Sequence, residues 1–151
     1  MHISARSDYA VRACVVLAAA GAGPTRGETV ADDQHIPAKF LEAILSSLRQ
    51  AGLVVSRRGA EGGYWLARPA TEITVADIIR AVDGPLAEVR GGPPEAATYD
   101  GVAADLQVVW MAVRASIRAV LEHVTVDDIA HGRLSEAVRT LAADPDVWLT
   151  R

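Results

Sequence analysis

The chain of 151 residues holds one cysteine, Cys14. A lone thiol excludes an intramolecular disulfide and any metal cluster built only from thiolates of one chain. Aromatic residues are also scarce, at 5% of the chain, while 50% is hydrophobic. A core made mostly of Ala, Val and Leu buries modest area per residue, so a partner subunit is expected to complete it. No apolar run approaches the roughly 18 residues of a membrane span. The apolar part of 10–22 is short, and Asp8 and Arg12 lie within the same helical stretch. Asp8 also interrupts what would be a signal peptide, which makes the cytoplasm the expected location.

Catalytic motifs are lacking too. There is no nucleophile elbow, HExxH or paired-carboxylate motif. His2, His35, His123 and His131 are scattered without metal-site spacing. No metal, no cofactor and no enzymatic activity are expected.

What is present begins with an uneven charge. The net charge is −4. Yet residues 35–68 carry Lys39, Arg49, Arg57, Arg58 and Arg68 against Glu42 and Glu61. A local basic island can bind a polyanion on an acidic protein, because screening confines distant charges to about 8–10 Å.

At the centre of that island is "SRRGAEGGYWLARP", residues 56–69. Residues 53–55 read as a strand and 64–67 as its return, with a loop holding Gly59, Gly62 and Gly63 between them. A phosphate loop needs a helix after the glycines, and a strand follows here. The remaining readings are a plain turn or a hairpin that presents Arg57 and Arg58 to a nucleic-acid backbone or a narrow minor groove.

The segments before the hairpin favour the second. Residues 7–20 read as a helix stopped by Gly21, with Cys14 a buried thiol, and 28–34 as a short helix. His35 falls where a left-handed turn residue is wanted. From Pro37 to Gln50, Phe40, Leu41, Ile44, Leu45 and Leu48 form an apolar face. Ala38, Lys39, Glu42, Ser46 and Arg49 form the polar one. Helix, tight turn, amphipathic helix and hairpin follow in the order of a winged helix-turn-helix. In that arrangement Ala38 suits a thymine methyl, Lys39 a guanine or phosphate, Glu42 a cytosine amino group and Arg49 a phosphate.

Thr74 to Asp77 resembles a capping box, and Gly84-Pro85 ends the helix after it. Residues 85–101 read as a loop. A long helix over 103–124 follows, with Leu106, Trp110, Val113, Ile117, Val120 and Val124 at spacings of 4, 3, 4, 3 and 4. That seam suits a second long helix. Thr125 to Asp128 is another capping start. The expected fold is mainly α with a small β-hairpin wing. A winged helix-turn-helix spans 1–84, a loop 85–101, and a dimerisation helix with a C-terminal tail 102–151.

"ARSDYAVRACVVLA", "IPAKFLEAILSSLRQAGLVVSRRGAEGGYWLARP" and "ITVADIIRAVDGPL" resemble the Rrf2 family of bacterial winged-helix regulators, over about residues 1–125. The resemblance implies a homodimeric transcriptional repressor on a pseudo-palindromic double-stranded DNA site, with the long helices crossing between subunits. It implies that Ala38, Lys39 and Glu42 face the major groove, that Arg57, Arg58 and Gly59 serve the wing, and that Ser4 and Arg6 lie near phosphates. Many members hold an iron–sulfur cluster on three cysteines between the fourth helix and the dimer helix. Here that region is "GPLAEVRGGPPEAATYDGVAADLQVVW", without cysteine. Asp8, at a position that ligates the cluster in some members, has no thiolates to act with. The readings then open are a small-molecule effector, a partner protein, Cys14 acting between subunits, or constitutive binding. A winged-helix module that binds protein through its heptad helix is the competing reading.

Overall fold

The computed structural model describes residues 2–150. Its first helix, α1 (Ala5–Ala20), begins earlier than the apolar spacing predicts, because Ser4 caps it by accepting the Ser7 amide at 2.9 Å. A hydroxyl at this position satisfies one of the amides that a helix start leaves open. Ala10, Ala13, Cys14 and Leu17 face inward, and Ala20, the last residue of the helix, is exposed past the core.

The helices α2 (Gly27–Gln34) and α3 (Ala38–Gln50) meet at His35, which adopts φ 52° and ψ 43°. This left-handed residue turns the chain so that the Ile36 amide donates back to the Ala31 carbonyl at 2.9 Å. Pro37 stands just before α3 and fixes its entry. Leu41, Ile44, Leu45 and Leu48 of α3 are buried. Each contributes about 1.5–3 kcal/mol of burial. Phe40 is 60% exposed, contrary to the expected apolar face. At 100° per residue it lies about a quarter turn off the axis set by those four, on the flank that carries Ser47.

The wing is an antiparallel pair, β1 (Val54–Arg57) and β2 (Gly63–Leu66), in the register Val54 to Leu66 and Arg57 to Gly63. Thr25, before α2, adds a third rung. Its amide and carbonyl exchange 2.8 Å hydrogen bonds with Tyr64. The helix α4 (Val75–Asp83) starts with a complete capping box between Thr74 and Asp77.

Residues 85–101 form an ordered loop with a tight Val89–Gly92 turn and single 3-10 turns at Pro94–Ala96 and Gly101–Ala103. The helix α5 (Leu106–Leu121) is shorter than the expected 103–124. The second 3-10 turn delays its start, and the chain leaves it to return to the core. Val124 accepts from the Val75 amide at 2.9 Å, and Val126 donates to Ile73 at 3.0 Å. The helix α6 (Val126–Ala130), capped by Thr125 and Asp128, then packs on α1. The segment after α5 therefore joins the winged-helix core. The tail holds α7 (Glu136–Ala143) and a 3-10 turn at Pro145–Trp148. At the centre, α1 packs against α2, α3, α4, α6 and β2.

Candidate nucleic-acid interface

The polar face of α3, the start of α2 and the wing enclose an open groove of about 790 Å³. From α3 it takes Ala38, Glu42, Ser46 and Arg49, and from the wing Arg57, Arg58 and Gly59. These are the residues whose types suit base edges and phosphates, brought to one concave face by the turn at His35. Pro37 offers α3 no side-chain cap, and its carbonyl accepts from the Phe40 amide at 2.9 Å and the Leu41 amide at 3.1 Å. Lys39 is exposed on the side of α3 opposite its buried face, and it is not among the residues lining the groove.

The two wing arginines differ. Arg57 turns back and donates to the Glu61 carbonyl at 2.8 Å, closing the wing loop on itself. Arg58 is exposed, has no partner among the described residues, and is the wing charge left to reach outward. Gly62 is enclosed by this loop. A Cβ there would sit 2.2 Å from the Arg57 carbonyl oxygen. Arg49 donates to the Ser56 hydroxyl at 3.2 Å and so ties α3 to β1.

The N-terminal residues are joined to α4 and α3. Ser4 donates to the Asp83 carboxylate while capping α1, and the buried Ser7 hydroxyl donates to the same oxygen at 2.6 Å. Burial pushes the Asp83 carboxyl up, but the hydrogen bonds from Ser4 and Ser7 and the charges of Arg6 and His2 outweigh it. The group is held below the ordinary carboxylate range. Arg6 donates to Ser47 of α3 at 2.7 Å and stays exposed. Thus Ser4, Arg6, Arg49 and Arg57 each hold a structural contact, while Lys39 and Arg58 are exposed.

Sequence reasoning missed Arg26. It precedes α2, lines the groove and donates to the Ala60 carbonyl at the wing tip at 3.0 Å. Its signal was modest, a basic residue just ahead of a helix start in "GPTRG". Glu28 and Ser56 also line the groove.

The expected dimer seam divides. Leu106, Trp110, Ile117 and Val120 are half-buried, and Val113 is exposed. Trp110 donates its indole N–H to the Tyr99 hydroxyl at 3.0 Å, within its own chain. Val124 lies beyond the end of α5 and is buried in its own core, so it is not on the helix face where the spacing put it. No residue of α5 is buried, and Val108, Val109, Met111 and Val113 are exposed. A helix this apolar, left open, lacks a packing partner.

Cluster chemistry has no donors here. The loop between α4 and α5 has no cysteine, and Cys14 lies fully buried in α1, where burial raises its thiol to about 12. Asp8 pairs with Arg12 at 3.3 Å. The residues present do not fit a thiolate-held iron–sulfur cluster.

Residues 3–132 match the Rrf2 family, described as an iron-dependent transcriptional regulator. The chain is 50% identical over 145 residues to Rv1287 of Mycobacterium tuberculosis, a protein assigned by name to the HTH-type transcriptional regulators. The match covers 95% of this chain and 90% of that one. It is 35% identical over 131 residues to the HTH-type regulator CymR of Bacillus subtilis, covering 86% and 90% of the two chains. Among solved structures, CymR, the global cysteine regulator of B. subtilis, superposes with a TM-score of 0.74 at 34% identity, over 86% of this chain and 96% of that one. T. potens IscR superposes with a TM-score of 0.68 at 31% identity, over 100% and 93%.

Proposed function

The chain belongs to the Rrf2 family of transcriptional regulators, and on that premise we propose that it is a cytoplasmic homodimeric repressor that binds a pseudo-palindromic DNA site without an iron–sulfur cluster. The observation that carries this reading is the groove itself. It sets the polar face of α3 beside a wing whose Arg58 is exposed and has no partner among the described residues. Inserted in a major groove, α3 would place Ala38 and Glu42 at base edges. Lys39 and Arg6 would meet flanking phosphates, and Ser4 and Arg49 would hold the elements that present them. Arg58 would enter the adjacent minor groove, with Arg57, Gly59 and Arg26 fixing the wing.

The homodimer rests on α5. Its exposed Val108, Val109, Met111 and Val113 lie away from the chain's own core, and a second α5 would cover them. Such a dimer presents two copies of α3, and two-fold symmetric half-sites about one helical turn apart, ~10 base pairs, would follow. Repression would come from occupying a promoter.

Footprinting of the metal-free protein on DNA from upstream of its own gene tests this. Two protected patches spaced by whole helical turns are expected. Absence of protection, or one patch from a monomeric species, contradicts the reading.

A further inference from the structure

The loop that replaces the cluster region is not merely a spacer. It folds over the junction of α4 and α5 and walls a partly open cavity of about 280 Å³. Arg80 of α4 and Arg114 and Arg118 of α5 all line it, the latter two one helical turn apart. Glu88 is the one carboxylate in the lining. The rest of the wall is apolar, from Pro85, Leu86, Pro93 and Pro94.

Two carboxylates hold these arginines from outside the cavity. Glu122 accepts from Arg80 and from the Nε of Arg118, and Glu95 accepts from Arg114. Neither carboxylate lines the cavity. These contacts use one nitrogen of each guanidinium. Each arginine has five N–H donors in a planar fork, so most donors remain for a ligand. Both terminal nitrogens of Arg118 are without a hydrogen bond among the described residues. Preoriented, half-exposed arginines around an apolar wall make a receptor for an anion with a carbon skeleton.

The backbone carries a second sign. Arg90 has φ 53° and Gly91 φ 76° in the Val89–Gly92 turn. A turn with two left-handed residues ordinarily takes Asn or Gly first, so Arg90 is strained there. Its guanidinium lies 5.5 Å over the ring of Tyr99, whose hydroxyl accepts from Trp110 of α5. The loop is thereby tied to α5 in the shape that walls the cavity, against local backbone preference.

We propose that this cavity binds a small organic anion carrying two or more carboxylate or phosphoryl groups, and that this ligand is the regulator's input. The second clause rests on the DNA-binding function proposed above. The connection runs through α4. Arg80 lines the cavity, and Asp83, less than a turn further on, holds Ser4 and Ser7 at the start of α1. A ligand that draws Arg80 from Glu122 acts on the helix that positions the DNA-facing N-terminus.

Calorimetry with citrate and 3-phosphoglycerate, at constant ionic strength, tests the site without DNA. Inorganic phosphate and chloride serve as controls. Saturable binding of one organic anion per chain, tighter than phosphate, is expected. Arg118→Ala should weaken it about tenfold, as for loss of a charge-assisted hydrogen bond. Glu88→Gln should tighten it severalfold, a change that misfolding cannot mimic. No saturable binding of either organic anion, or binding unmoved by both variants, overturns the site. Linkage then requires the bound anion to change DNA affinity by a factor that the DNA returns to the anion. Tight anion binding with unchanged DNA affinity overturns the input role alone, and leaves the site standing.

Discussion

Replacing Gly63 by alanine strikes the joint that sets the wing against the helix-turn-helix. Gly63 has φ +149°, and a Cβ built on it would lie 2.6 Å from the Thr25 carbonyl oxygen and 2.8 Å from its carbon. Backbone cannot yield as a side chain tip does, so Thr25 and β2 must separate. The two 2.8 Å hydrogen bonds between Thr25 and Tyr64 then break. Their loss costs about 2 kcal/mol together. Strain in the positive-φ backbone adds about 1–2 kcal/mol. A loss of about 3–4 kcal/mol lowers Tm by roughly 6–16 °C for a domain of this size. Separation also moves Arg58 and uncouples Arg26 from Ala60, so DNA affinity should fall about tenfold or more. Gly92→Ala is the control, since a Cβ there meets only the Val89 carbonyl oxygen at an ordinary 3.8 Å. Differential scanning calorimetry and a fluorescence-anisotropy titration measure both effects. Wild-type Tm and wild-type affinity in Gly63→Ala would refute the argument that Thr25 anchors the wing.

Further substitutions separate the remaining roles. Arg58→Ala should leave Tm unchanged while lowering affinity about tenfold, mostly at sites with narrow minor grooves; equal loss on all sequences would make Arg58 a phosphate contact only. Val109→Glu places a charge on the open face of α5 and should give monomers in sedimentation experiments; an unshifted dimer would put the interface elsewhere. Cys14 should resist thiol reagents in the native protein at pH 7, with its thiol at about 12, and rapid labelling would contradict its burial. Asp83, held below the ordinary carboxylate pKa, stabilises the fold above that ordinary value, and the contribution is lost as pH falls through the folded value. The stability gap between wild type and Asp83→Asn should therefore be full at neutral pH and close below about pH 4. A gap independent of pH would show that the carboxylate charge is not what Ser4 and Ser7 bind.

What was legible in the sequence was what is local. The capping boxes at Thr74 and Thr125 span four residues each and formed as read. The left-handed turn at His35 followed from its place between two amphipathic segments. The glycines at 59, 62 and 63 announced a hairpin because few other residues allow so tight a return. The contacts that were not legible join distant parts of the chain. Nothing local pairs Ser4 with Asp83, or turns Arg57 to the Glu61 carbonyl while Arg58 stays exposed. The seam through α5 was over-extended to Val124 for the same reason. Periodicity counted it as helix, but a backbone hydrogen bond from Val75 draws it into the core. Even charge counts could not show that Arg80, Arg114 and Arg118 meet around one cavity, since the loop that gathers them carries no motif.

Sequence-specific DNA recognition that needs no cluster is the property on which the proposed function stands. Its most direct test is binding of metal-free protein to its upstream DNA and to a shuffled duplex, across a salt series. Tighter binding to the native sequence is expected. Affinity should fall steeply with salt, at a slope of about 0.9 per neutralised phosphate, and Arg58→Ala should flatten it by about one phosphate. Equal affinity for both duplexes, or specific binding that appears only after iron and sulfide are restored, would contradict it.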